Sequence, residues 1–262
     1  MDDSATPRPS VLITGGARRI GAAIARAYAD AGWHVIIHYG HSADEAEALA
    51  AELPHANAVH CDLVDGNAAA EFAAMLAGRL PDWRVLVNSA AVFEKDTADR
   101  MDMDVFRRAL RVNAASPVKL AQAFLARGRS SGGKRVINLT DQKLANPNPD
   151  FFSYTMSKHA LASTIRMLAM AHASSDDRVY GLAPGAILAS FDQTGEEAEF
   201  SHRLNPLARR TDVSEVAAAC MWLTQGWLAS GETLYIDSGQ HLLAQPRDVI
   251  YLAREAGMGE AS

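Results

Sequence analysis

Cysteine is scarce in this chain of 262 residues: Cys61 and Cys220 are the only two, and no CxxC pair exists. That count argues against a disulfide scaffold and for a reducing, cytoplasmic setting. The nine histidines are scattered and no HExxH occurs, so no metal site is indicated. No strand-to-helix Gly-x-Ser-x-Gly elbow is read, which argues against a hydrolase, and the Gly15-Gly16 turn lacks the Gly-Lys-Ser/Thr of a P-loop. Long apolar runs are missing too. The best candidate, Ala160 to Ala173, is broken by Arg166, so no membrane span is expected. The acidic start from Met1 to Ser10 lacks a basic-then-apolar signal pattern, and residues 1–9 are expected to be disordered. A net charge of -6 gives no reason to expect a nucleic-acid partner.

What is present is a regular alternation of short apolar runs with helical patterns. Hydrophobic residues make up 48% of the chain, enough for one core, and no linker or internal repeat divides it, so residues 1–262 are read as a single domain. Strands are predicted at 11–13, 34–38, 58–61, 85–87, 135–139, 179–182 and 233–236. Helices are predicted at 20–31, 43–53, 68–80, 105–127 with a kink at Pro117, 154–173 and 214–225. Strands that are solid apolar runs, alternating with helices, predict an α/β fold: a doubly wound parallel sheet of the Rossmann type. Residues 187–211 break the rhythm and predict an irregular lid over a substrate, with Phe191, Asp192 and Leu204 as candidate contacts.

The first strand runs into Thr14-Gly15-Gly16-Ala17-Arg18-Arg19-Ile20-Gly21. Glycines here let the backbone turn sharply, and the following helix offers free N–H groups to a pyrophosphate. An NAD site places an acid about 20 residues further on, at the end of the second strand. Here that stretch reads His38-Tyr39-Gly40-His41-Ser42, while Arg18 and Arg19 stand in the first turn. Both features favour the 2′-phosphate of NADP, unless the arginines are only solvated surface residues. Tyr154 and Lys158, four apart, share one helix face, and an ammonium beside a phenol lowers its pKa toward proton-transfer range.

Together these residues resemble the short-chain dehydrogenase/reductase family. The ordered match covers roughly residues 10 to 240, from the Thr14–Gly21 turn through Cys61-Asp62-Leu63, Asn88-Ser89-Ala90-Ala91, Asn113, Tyr154/Lys158 and Pro184-Gly185. The resemblance implies a sheet order of 3-2-1-4-5-6-7. It implies cofactor contacts from Gly15, Arg18, Arg19, Ile20, Gly21, His38, His41, Ser42, Asp62, Leu63, Asn88, Ala90, Lys158, Pro184 and Gly185. It implies that Lys158 binds the nicotinamide ribose, that Asn113 supports a proton-relay water, and that Tyr154 donates the proton. A homotetramer is the family expectation, with the segment after Asp237-Ser238-Gly239 reaching a neighbouring subunit.

The departures from the family pattern narrow the substrate. Most members carry a serine a dozen or so residues before the tyrosine, bonded to a substrate carbonyl. Here Asp141 lies thirteen residues before Tyr154. An ionised carboxylate would repel a developing alkoxide, so it suits a different task, such as accepting N–H groups from a pterin ring or relaying a proton to a ring nitrogen. The alternative is that Thr140 acts as the hydroxyl and Asp141 turns away. Arg19 replaces the middle glycine of the cofactor turn, and Phe93 either covers a flat ligand or packs in the core. Arg19, the His38-Tyr39-x-x-Ser42 segment, Phe93 and the Asp141/Tyr154 spacing look like the pteridine reductase and dihydromonapterin reductase branch. There Arg19, Phe93, Asp141 and Tyr154 would meet substrate, although the branch serine is Ala91 here. The expected function is NADPH-dependent reduction of a dihydropterin. A carbonyl reductase and a non-catalytic NADP(H)-binding protein are the alternatives.

Overall fold

The computed structural model describes residues 7–190 and 192–257. The expectations for residues 1–6 and for Phe191 therefore lie outside the described residues. Pro7–Pro9 are placed, with the Pro9 carbonyl accepting from the His34 N–H at 2.9 Å. No helix among the described residues is long and apolar enough to cross a membrane.

The strands are β1 (Ser10–Thr14), β2 (His34–Tyr39), β3 (Ala56–His60), β4 (Trp83–Asn88), β5 (Arg135–Leu139), β6 (Arg178–Pro184) and β7 (Thr233–Ile236). They pair in parallel in the order β3-β2-β1-β4-β5-β6-β7. Successive side chains of a strand point to opposite faces. Val11, Ile13, Val35, Ile37, Val85 and Val87 therefore enter one core layer with Ile24, Tyr28, Val216 and Leu223. Leu12, Ile36, Leu86 and Val136 enter the other, with Phe72, Leu76, Leu120, Phe124 and Ile165. Both faces are covered, which is why these strands are continuous apolar runs.

Helices α1 (Arg19–Asp30), α2 (Ala43–Glu52) and α8 (Val213–Thr224) cover the first face; α3 (Gly66–Arg79), α5 (Ser116–Arg127) and α6 (Phe152–Ala171) cover the second, with α4 (Met103–Leu110) leading into α5. The predicted long helix over 105–127 is interrupted differently from expectation. Its break is a π-turn over Arg111–Ala115, and Pro117 stands in the first turn of α5, where the missing N–H deprives the helix of little. The 187–211 segment is also more regular than expected. It contains α7 (Gly195–Ser201), started by a capping box in which the Thr194 hydroxyl accepts from Glu197 N–H and the Glu197 carboxylate from Thr194 N–H. A last helix, α9 (Val249–Glu255), lies beyond every predicted element. The letters Gly-x-Ser-x-Gly do occur at Gly128–Gly132, but they lead from a helix to a strand, and Ser130 donates to the Gly133 carbonyl.

The order reverses at β1, which sits between β2 and β4. A crevice opens there at the carboxyl ends of the strands. The Thr14 hydroxyl fixes its two sides: it accepts from Ser89 N–H at 3.0 Å and Ala90 N–H at 3.1 Å. The close approach demands glycine. A Cβ on Gly21 would stand 2.1 Å from the Gly15 carbonyl oxygen, and one on Gly15, whose φ is +61°, would stand 2.9 Å from Ala90 Cα. The variant Gly21→Ala is expected to lose about 2 kcal/mol or more of unfolding free energy through overpacking. Urea unfolding checks this, and an unchanged midpoint would contradict the packing described.

Candidate active site

Loops after β1, β4, β5 and β6 line a cavity of about 640 Å³. Of the residues singled out in the sequence, Gly15, Arg18, Arg19, Ile20, Gly21, Ser42, Phe93, Asp141, Tyr154, Lys158, Pro184 and Gly185 line it. His38, His41, Asp62, Leu63, Asn88, Ala90 and Asn113 stand outside the lining, and several of them hold it in shape.

The cofactor end begins at the start of α1. No side chain caps this helix and no acid occupies its first turn, so its leading N–H groups remain open to an anion. Arg19 takes φ +54°, the left-handed region that glycine usually fills, at a cost of about 1–3 kcal/mol. Its guanidinium offsets this by donating to the carbonyls of Ala189 at 2.9 Å and Leu188 at 3.1 Å, tying the turn to the loop after β6. Arg18 is exposed and pairs with Glu45 at 3.3 Å. Tyr39, Gly40 and Ser42 line the cavity at the end of β2 without presenting an acid. Glycine cradle, open helix start and the absence of an acid among the β2-end lining residues fit a dinucleotide carrying a 2′-phosphate, with Glu45 as the present partner of Arg18 beside them.

His38 is buried and touches the cavity only through its neighbours. Gly15 N–H donates to its Nδ1 at 3.2 Å, so Nε2 carries the proton and donates to the Cys61 carbonyl at 2.9 Å. Burial pushes its pKa down to about 4, which keeps this bridge neutral. The Asp62 carboxylate caps Val64 N–H, and the Leu63 carbonyl accepts from the Ser116 hydroxyl at 2.6 Å. Asn88 donates to Asn138 Oδ1 at 2.8 Å across β4 and β5. Asn113, in the π-turn, grips Val92 through N–H and carbonyl and donates to the Ser157 hydroxyl at 3.0 Å.

At the reacting end, the Tyr154 hydroxyl donates to Asp141 Oδ2 at 2.7 Å. The alternative with Asp141 turned away is thus not what the structure shows. Instead the Thr140 hydroxyl is directed into the fold, donating to the Leu182 carbonyl at 3.2 Å. Lys158 is buried and donates to the Leu139 carbonyl at 2.7 Å, with its Nζ 5.6 Å from the Tyr154 ring centre. The expected lowering of the phenol pKa is corrected accordingly. Burial and the adjacent Asp141 carboxylate hold Tyr154 well above its usual value, because the group bonded to its hydroxyl is an anion rather than an ammonium. Burial brings Lys158 down to about 8, partly opposed by Asp141.

Phe93 packs against other aromatic rings and also borders the cavity. One side stacks on Phe151 at 4.1 Å between ring centres, it meets Tyr154 edge-on at 4.7 Å, and it still lines the cavity. Sequence reasoning missed His202, Gln245, Asp248, Val249 and Ile250 among the lining residues. His202 is buried, is pushed down to about 4 chiefly by burial, and its Nδ1 has no hydrogen-bond partner within the described chain. The α9 residues carried a readable signal, since Asp248 caps the helix ahead of an apolar turn. In the segment after Gly239, Gln240, Gln245, Asp248, Val249 and Ile250 line this chain's own cavity. Among the described residues no group of three or more His, Cys, Asp or Glu is placed to hold a metal ion.

Comparison with known proteins agrees with this arrangement. Residues 15–241 match the family model described as enoyl-(acyl carrier protein) reductase. The chain is 30% identical over 240 residues to D-threitol dehydrogenase of Mycolicibacterium smegmatis, covering 87% of this chain and 91% of that protein. It is 28% identical over 279 residues to pteridine reductase 1 of Leishmania tarentolae, covering 89% and 96%. The solved structure of FolM alternative dihydrofolate reductase 1 from Brucella canis, complexed with NADP, superposes with a TM-score of 0.84 at 34% identity, covering 91% of this chain and 96% of that one. The Brucella suis counterpart, also with NADP, gives 0.82 at 34% identity, covering 92% and 97%. Motif order, sheet order and these likenesses converge, and the chain belongs to the short-chain dehydrogenase/reductase family.

Proposed function

We propose that this chain is an NADPH-dependent reductase of dihydropterins. The observation that carries the reading is the Tyr154–Asp141 hydrogen bond, with a carboxylate where the family's serine would stand and the Thr140 hydroxyl committed to Leu182. The NADP in the Brucella structures and the names of the dihydrofolate and pteridine reductase relatives support it.

NADPH bound at the Gly15–Gly21 cradle would supply the hydride to the C=N carbon of the dihydropterin. The residues supply the rest. Lys158 holds a cation at the ribose position, and Arg18, which would exchange Glu45 for the phosphate, stands with Ser42 at the corner suited to the 2′-phosphate. Phe93, backed by Phe151, offers an aromatic surface to a flat ring. Asp141 accepts N–H groups from the substrate, an arrangement that attracts a pterin edge and repels a developing alkoxide. Tyr154 is a neutral phenol at physiological pH, as an unshifted one would be, and burial with Asp141 only raises its pKa further, so it carries a proton to give. The ring nitrogen takes that proton through the Tyr154–Asp141 pair as the carbon takes the hydride, and solvent restores it. Arg19 joins the cofactor turn to the loop that closes on the substrate.

We place the protein in a reducing cytoplasm, consistent with two buried, unpaired cysteines. A homotetramer would cover the exposed Met167 and Met170 on α6 and the pair formed by Trp222 in the last turn of α8 and Trp227 just beyond it. Sedimentation should then report four times the 28.1 kDa chain mass, and a monomer would overturn the assembly.

Turnover of NADPH with 7,8-dihydrobiopterin, dihydromonapterin or dihydrofolate tests the substrate class. Turnover of simple ketones with none of these would overturn it. Asp141→Ala is expected to lose about 100-fold or more in kcat, the usual worth of a proton-transfer partner, while Thr140→Ala stays within about threefold. The reverse ranking would favour a carbonyl reductase. The Lys158 pKa of about 8 sets the alkaline limb. Because the cation is the binding form, kcat/KM for NADPH should fall as pH rises through about 8 and hold steady from 6.5 to 7.5. A flat profile to pH 9.5 would contradict this role for Lys158.

A further inference from the structure

The C-terminal segment was the part of the cavity that the sequence patterns did not reveal, and it is fixed by an unusual density of charge. Asp150 and Asp248 are both buried. Arg247 donates to both Asp150 oxygens, at 2.8 Å and 3.0 Å, and Asp248 N–H donates to Asp150 Oδ2 at 2.8 Å. Lys143 Nζ, itself buried, meets Asp248 Oδ2 at 2.5 Å. At the far end of α9, Arg254 donates to Glu197 of α7 at 2.9 Å and to the Asp192 carbonyl at 2.6 Å. Burying this many charged groups is unfavourable unless each is paired, so the pairs hold the segment in one place.

That place is against the aromatic group of the site. Ile250 packs in one cluster with Phe151 and Tyr154, joined by Phe93 and Tyr251. Tyr251 lies 6.1 Å from Phe151, Phe151 stacks on Phe93 at 4.1 Å, and Lys143 Nζ lies 5.2 Å from the Phe151 ring centre. Phe151 starts α6 in the left-handed region, at φ +51°. A β-carbon residue stays there only where its surroundings over-determine it, and α9 supplies much of those surroundings. The contacts run from Arg247 and Asp248 through Ile250 and Phe151 to Phe93 and Tyr154, and none of them touches the Gly15–Gly21 turn.

We propose that the Asp150–Arg247 and Lys143–Asp248 pairs are positioning elements for the substrate half of the site: they press α9 onto Phe151 and thereby set Phe93 and Tyr154 for a flat substrate. Arg247 acts through the aromatic group, Asp248 and Ile250 act through it while also bordering the cavity, and the three govern substrate binding independently of cofactor binding. The inference rests on the dihydropterin reading only in the choice of assay substrate.

The test compares wild type with Arg247→Ala, Arg247→Lys and Ile250→Ala. NADPH affinity is read by fluorescence, steady-state kinetics use 7,8-dihydrobiopterin, and amide hydrogen exchange is followed with NADPH bound. The expected result for Arg247→Ala and Ile250→Ala is a KM for dihydrobiopterin raised about tenfold, equivalent to about 1.4 kcal/mol, with NADPH affinity within about twofold. Exchange should quicken at 249–255 and also at 91–96 and 151–157, and Arg247→Lys should restore most of the KM. The proposal is overturned if α9 loosens while 91–96 and 151–157 keep wild-type exchange, or if NADPH affinity falls in step with substrate affinity. Absence of turnover of dihydrobiopterin, dihydromonapterin and dihydrofolate alike by wild type would overturn the dihydropterin reading instead, and the exchange pattern would still decide the positioning claim.

Discussion

The hydrogen bond from Tyr154 to Asp141 is the constraint around which the reacting end is organised. A phenol four residues before a buried lysine is ordinarily expected to feel that lysine's charge. Here the lysine is directed to the Leu139 carbonyl and the phenol to a carboxylate. The consequence is electrostatic. Burial and Asp141 hold the Tyr154 pKa up, and Asp141 presents an acceptor to the cavity; on the proposed reading this wall suits a ring that donates N–H groups better than a carbonyl that becomes an alkoxide. Thr140, one residue away, also borders the cavity, and its hydroxyl serves the Leu182 carbonyl.

Holding that bond requires the start of α6 to be fixed from several sides. Asp96, on the loop after β4, accepts from Ser153 N–H at 2.9 Å and from the Ser153 hydroxyl, satisfying a helix start that its own N-cap residue leaves open. Asn113 reaches from the π-turn to Ser157 on the same helix. Phe151 carries the backbone strain. At the cofactor end, His38 does comparable work as a neutral bridge between the Gly15 turn and Cys61. The Gly15 turn and the start of α6 are thus held by different sets of contacts.

The architecture was legible because strands buried on both faces write themselves as apolar runs, and β5 and β7 match their predicted spans. The turn from Thr14 to Gly21 was legible because its glycines answer a steric need. Less legible was anything that depends on partners distant in sequence. His38 looked like a cofactor contact, yet its ring is turned inward by Gly15 and Cys61, which lie 23 residues away on either side. The sign of the Tyr154 shift depended on whether Asp141 faced it. The interruption at 111–115 leaves no proline or glycine as a mark, so Pro117 drew the prediction instead. Helix α9 was overlooked because the family pattern ends near Gly239, although Asp248 and its apolar turn follow the ordinary rule for a helix start.

The central claim is that Tyr154 and Asp141 act as one proton-handling unit on the substrate. Single-turnover hydride transfer from NADPH to a dihydropterin, measured for Tyr154→Phe, Asp141→Asn and the double variant, tests it most directly. A shared role predicts strong non-additivity, with the double variant no slower than the slower single one. Losses that multiply would mean that the two side chains act separately, and would contradict the account.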